Sequence, residues 1–281
     1  MIVKTVLITG ASSGLGYATT MKLAENGFFV FAAARSIKGV FSKNKNIHEL
    51  EMDITDECSV RDGFNNINEL LNGSYLYGLI NNAGICIPSP LELLCLSDLR
   101  RQLDTNVVGQ LLVTQHALPL IRKAKGRIIN VTSGLGSIAV PYLGAYSIAQ
   151  FAKMALTDVL RRELINCGIS VSIIQPGAID TPIWGKFLTA GQATLDHAND
   201  EKRQIYEKSF KDFLKSSIAN SSKVATTDED FSQVILEVLT TKKPATHYYV
   251  GDDARYFAEK SKSQSASEID KWFSQQSPTA P

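Results

Sequence analysis

The sequence predicts an α/β fold: a single domain built on a doubly wound, mostly parallel sheet of about seven strands, with helices on both faces. Three observations carry this reading. Short apolar or β-branched runs alternate with longer helical patterns, the rhythm of strand-helix-strand units. Several of the runs are apolar at nearly every position, as strands covered on both faces must be. The chain has 281 residues, 44% of them hydrophobic, and neither an interdomain linker nor an internal repeat. It is long enough to bury a large core, and one domain over residues 1–260 is the simplest division.

In chain order, strands are expected at residues 3–9, 28–34, 47–52, 76–81, 126–132, 169–175 and 246–250. Helical patterns fill 14–26, 56–71, 98–122, 145–166 and 228–240. Residues 183–226 break the rhythm with Trp184, Phe187, His197 and a charged run, and read as a helical insertion or substrate lid. Residues 261–281 are rich in Ser, Gln and Lys and read as a partly flexible tail, fraying at Ser277, Pro278 and Pro281.

Charge excludes several function classes. With 29 basic against 28 acidic residues and a net charge of +1, nothing draws the chain broadly to nucleic acid or anionic lipid. Cys58, Cys86, Cys95 and Cys167 lie far apart, without the paired spacing of a zinc site or the density of a disulfide scaffold. Reduced thiols in a cytoplasmic protein follow. The apolar start is too short for a signal sequence, and no later stretch is long enough for a membrane span. His48, His116, His197 and His247 have no partner at metal-ligand spacing and read as structural, with His197 alone placed to touch a substrate; no metal site is expected.

Thr9-Gly10-Ala11-Ser12-Ser13-Gly14-Leu15-Gly16 leaves the first strand and opens a helix. Glycines at such a turn let the backbone approach a pyrophosphate, which the free N–H groups of the helix start then bind. A tight turn without a ligand would also satisfy this segment taken alone. Three further motifs join it: Asn81-Asn82-Ala83-Gly84 after the fourth strand, Asp53-Ile54 after the third, and Pro176-Gly177 followed by Thr181 after the sixth.

In these motifs and their order the chain resembles the short-chain dehydrogenase/reductase family over about residues 3–182, and around 126–184 most nearly its hydroxysteroid and retinol dehydrogenase branch. The resemblance implies a Rossmann-type fold binding a nicotinamide dinucleotide. It assigns cofactor contacts to Gly10, Ser12, Ser13, Gly14, Leu15, Gly16, Arg35, Asp53, Ile54, Asn82, Ala83, Gly84, Tyr146, Gln150, Pro176, Gly177, Ile179 and Thr181. The choice of dinucleotide turns on charge after the second strand. An acidic residue there would hold a ribose hydroxyl, whereas a 2′-phosphate needs a cation. No acidic residue occurs from Asn26 to His48, and Arg35 with Lys38 closes the strand, so NADP(H) is expected over NAD(H). A merely solvated Arg35 is the alternative.

The resemblance further implies a catalytic group of Asn106, Ser133, Tyr146 and the residue four beyond Tyr146. Ser133 would hold the substrate oxygen, Tyr146 would be the acid/base, and Asn106 would hold a helix kink and a water of the proton relay. Family members carry lysine at the fourth position, but here it is Gln150. A unit charge about 4 Å away at an effective dielectric near 20 is worth roughly 4 kcal/mol, or about three pKa units on the phenol. Without it Tyr146 stays protonated at neutral pH, and carbonyl reduction suffers less than alcohol oxidation.

Lys153 lies on the same helical face two turns along, a rise of about 10.5 Å, and reads either as a distant substitute or as a surface or interface lysine. Gln150 itself is compatible with natural divergence or with an engineered substitution. The loops 85–88, 135–143 and 183–188 are strongly apolar, as expected either for a hydrophobic ketone or alcohol or for a packed lid. The expected function is hydride transfer between NADP(H) and such a substrate; the rival is a protein of this fold that binds NADP(H) without transferring hydride. Family likeness also implies a homodimer or homotetramer through residues 98–122 and 145–166.

Overall fold

In a computed structural model, which describes residues 3–276, seven parallel strands run in the order β3-β2-β1-β4-β5-β6-β7. They are β1 (Thr5–Thr9), β2 (Phe29–Ala34), β3 (Ile47–Glu51), β4 (Gly78–Asn81), β5 (Arg127–Val131), β6 (Ser170–Pro176) and β7 (His247–Val250). The alternation of side chains along each strand feeds two cores. Val6 and Ile8 point into one, covered by α1 (Gly14–Glu25) and α8 (Asp228–Thr240). Leu7 points into the other, covered by α2 (Glu57–Leu71), α4 (Gly109–Ala124) and α5 (Gly144–Glu163). The strand order reverses between β1 and β4, which opens a crevice beyond the carboxyl ends of the strands at that point.

The helix expected at 98–122 is not continuous. It consists of α3 (Leu96–Leu103), a π turn (Asp104–Val108) and α4. The extra residue of the π turn aims the buried Asn106 at the neighbouring loop. Its Oδ1 accepts from the Ile85 N–H at 2.9 Å, and its Nδ2 donates to the Ile85 carbonyl at 3.0 Å.

The irregular region after β6 forms two helices, α6 (Ile183–His197) and α7 (Asp200–Ser221). They meet the body through a cluster of Leu143, Phe187, Leu195, Phe210 and Leu214. The C-terminal region is helical as far as it is described, with α9 (Asp252–Ser263) and α10 (Ala266–Gln276). Trp272 of α10 packs against Tyr256 and Phe257 of α9, with Lys260 over its ring at 4.5 Å. The expected fraying at residues 277–281 lies outside the described residues.

Candidate active site

One cavity of about 1420 Å³ occupies the crevice, and every candidate residue named above on the cofactor and catalytic sides lines it. Its first wall is the glycine turn. Gly10 has φ of +68° and lies so close to Ala83 that an added Cβ would sit 2.9 Å from the Ala83 Cα. At Gly16 a Cβ would collide with the Gly10 carbonyl. No side chain caps α1 and no acidic residue stands in its first turn, so its N–H groups face the cavity unclaimed. This donor set fits a pyrophosphate.

The same crevice edge carries Asn82, whose Nδ2 donates to the Thr9 carbonyl at 2.9 Å and locks the end of β4 to the glycine turn. Arg35 lies exposed at the cavity rim after β2. Asp53 accepts from the Thr55 N–H at 2.9 Å and from its hydroxyl at 2.7 Å. Arg35, Asp53 and Ile54 all line the cavity along this edge.

Ser133 and Tyr146 face each other deeper in. Ser133 opens a short 3₁₀ turn in extended conformation, where its Oγ accepts from Leu135 N–H at 3.2 Å. Tyr146 stands in the first turn of α5. Desolvation is the main influence on its phenol and pushes the pKa well above the ordinary value; the Cys86 thiol adds to this, while Ser133 and Gln150 act in the opposite sense as hydrogen-bond partners. The proton is thereby held on Tyr146 at neutral pH. Burial also pushes the Cys86 thiol far up, leaving it neutral.

Gln150 is 2% exposed, and its Oε1 is buried without a partner. Lys153 corrects the sequence expectation: it is no surface or interface lysine, being also only 2% exposed. Its Nζ donates to the Val131 carbonyl at the end of β5, and burial alone lowers its pKa to about 7. Its position on the Tyr146 face was legible in the sequence, but its depth was not. His197 is likewise corrected: it ends α6, exposed, and is not among the cavity residues.

Asp253 had no signal in the sequence. From the start of α9 its Oδ2 accepts from Ala178 N–H at 2.7 Å and ties down the loop after β6. Of the expected apolar loops, 85–88 and 135–143 do converge on the cavity through Ile85, Cys86, Ile87, Leu135 and Leu143, but 183–188 is not a loop: it is the start of α6, from which Ile183, Trp184 and Phe187 line the same cavity.

A seven-stranded parallel sheet with a glycine turn at its switch point and a Ser/Tyr pair beside it defines a nucleotide-dependent oxidoreductase. The family model described as short chain dehydrogenase matches residues 4–191, and the chain belongs to that family. Among similar proteins is a 3-amino-tetrahydro-pyrrolizinone reductase of Xenorhabdus hominickii, 64% identical over 276 residues, covering 98% of this chain and 96% of that protein. Retinol dehydrogenase 7 of Mus musculus is 34% identical over 264 residues, covering 90% of this chain and 82% of that protein. A short chain dehydrogenase from Burkholderia cenocepacia J2315, solved in complex with NADP, shares the fold with a TM-score of 0.74 at 21% identity, covering 96% of this chain and 97% of that one.

Proposed function

We propose that this protein is an NADP(H)-dependent reductase of a compact, largely apolar carbonyl compound, and that its substrate is an amino-substituted bicyclic ring of the kind the Xenorhabdus relative is named for. The observation that carries the reading is the single cavity joining an uncapped helix start at one end to the facing Ser133 and Tyr146 at the other. When bound, NADPH supplies the hydride for the carbonyl carbon. Ser133 holds the carbonyl oxygen and Tyr146, which carries its proton at neutral pH, donates it to that oxygen. Arg35 pairs with the 2′-phosphate. Helices α6 and α7 form a lid whose apolar inner face selects the substrate and excludes water.

The protein assembles as a homodimer or homotetramer. Val108 at the end of the π turn and Leu111 of α4, with Ile148 and Phe151 of α5, expose apolar surface that a second copy would cover. The exposed unpaired thiols of Cys58, Cys95 and Cys167 fit a reducing, cytoplasmic compartment.

The test is loss of NADPH absorbance with a panel of hydrophobic ketones and amino-bicyclic lactams, beside NADPH and NADH binding titrations. Turnover with tighter NADPH than NADH binding is expected. Absence of NADPH binding would overturn the cofactor assignment. A second reading, binding without hydride transfer, is favoured by Gln150 at the lysine position. NADPH binding with turnover appearing only in Gln150→Lys would establish it.

A further inference from the structure

We propose that Asp253 is the specificity-determining residue that recognises the amine of the substrate, its carboxylate taking the ammonium while the ring of Phe257 flanks the pair. This rests on the amino-bicyclic reductase reading above and names the group by which that substrate is selected.

Asp253 and Phe257 stand four residues apart on α9, so their side chains share one face of the helix, and both line the cavity. The start of α9 is packed against the two turns that build the reactive end of the site. A Cβ added to Gly134, next to Ser133, would lie 3.1 Å from the Ala254 Cα and 3.6 Å from the Phe257 ring. A Cβ added to Gly177 would collide with the Asp253 carboxylate. The carboxylate is thereby set between the Ser133 turn and the loop after β6. Phe257 is held in turn by Trp272 of α10, at 6.4 Å between ring centres and nearly perpendicular.

The charge of Asp253 has no use within the fold. Its Oδ2 accepts from Ala178 N–H at 2.7 Å and its Oδ1 from Ala254 N–H at 2.9 Å. An asparagine oxygen would tie down Ala178 as well, without a charge. A negative charge also favours a helix start, but the exposed Asp252 already supplies one there. Among the described residues Asp253 enters no ion pair, and its two hydrogen bonds leave about half of its acceptor capacity free.

Three carboxylates border the cavity, and only this one is placed for the task. Asp53 follows β3 at the opposite edge of the sheet and is engaged by Thr55. Asp104 lies exposed on the π turn. Asp253 alone sits by the turn that carries Ser133. An ammonium donating to it forms a charge-assisted bond, strengthened where apolar walls such as Phe257 keep water away. A ring without the amine leaves the carboxylate desolvated and unpaired, which adds to the discrimination.

The experiment measures binding of an amino-tetrahydro-pyrrolizinone, and of the same ring with hydrogen in place of the amine, by calorimetry with and without NADP⁺. It also measures KM for both rings with NADPH. Wild type and Asp253→Asn are compared; asparagine keeps the oxygen for Ala178 N–H and removes the charge. Wild type is expected to prefer the amino ring, and Asp253→Asn to reduce that preference about 10- to 100-fold, the range of one lost charge-assisted bond. Equal affinity of wild type for the two rings would overturn the proposal. So would an equal loss for both rings in Asp253→Asn, which would mean that the carboxylate only shapes the Gly177–Ala178 loop or acts on the coenzyme. If Asp253→Asn does not fold, the carboxyl-carbon resonance of Asp253 in isotope-labelled wild type decides: a shift with the amino ring alone supports the proposal, and the same response to both rings overturns it. Amine-dependent binding without NADPH turnover would remove the reductase reading and keep this subsite, whereas turnover of both rings alike would keep the reductase and remove the subsite.

Discussion

The proposed preference for NADPH rests on Arg35, and the buried Lys153 makes the stability of the protein depend on pH. Arg35 has no acidic competitor on its own strand end, so Arg35→Asp should weaken NADPH binding by about 10- to 100-fold while leaving NADH binding nearly unchanged, the range of one lost charge-assisted bond. Paired fluorescence titrations with the two coenzymes check it, and an equal loss for both would show that the residue supports only the fold.

Lys153 also makes a prediction about stability. Its pKa is about 7 in the folded protein against an ordinary 10.5, so between those values the unfolded chain binds more protons than the native one. Its contribution to stability therefore rises with pH across that window and is least favourable below about 7. The melting temperature of Lys153→Met relative to wild type should be highest below neutrality and decline toward pH 10; a difference independent of pH would mean that the amine is not buried.

Among the elements, α5 and the α6–α7 pair do most to shape the site. The stripe of α5 that meets β5 carries every polar group that acts on Tyr146 except Ser133 and Cys86. The α6–α7 pair is anchored by aromatic packing: Tyr142, held at φ of +65°, lies 5.4 Å from Phe210 and 5.3 Å from Phe213 between ring centres. A left-handed aromatic residue is strained, and these contacts from α7 help to hold it. Phe210 is fully buried, so Phe210→Ala should cost about 3–5 kcal/mol locally, raise KM for the carbonyl substrate and open residues 183–221 to proteolysis, with NADPH affinity unchanged. Limited proteolysis with a KM measurement tests this; unchanged KM would separate the α6–α7 pair from substrate binding.

At the scale of the whole molecule, the sheet's two faces are treated differently. Helices α1 and α8 pack on one core, while α4 and α5 cover the other and, with Val108 of the π turn, keep Leu111, Ile148 and Phe151 in solvent. We expect Ile148→Glu/Phe151→Glu to convert an oligomer into monomers with the secondary structure intact, read by light scattering and circular dichroism. An identical mass for wild type and variant would remove this surface as the contact.

What could be read from the chain alone was whatever depends on neighbours in sequence. The strand-helix rhythm, the glycine turn of Gly10, Gly14 and Gly16, the lack of acid after β2 and the one-face spacing of Tyr146, Gln150 and Lys153 are local patterns, so they specified the fold class and the candidate residues directly. Other features arise between segments distant in sequence. The π turn forms where Asn106 meets Ile85, Asp253 reaches back to Ala178, and Lys153 loses its water only because α5 lies against the end of β5. Burial and its electrostatic consequences are sums over such contacts, which no window of the sequence contains, and so only the tertiary structure turned an apparently superficial lysine into a titrating group behind the active site.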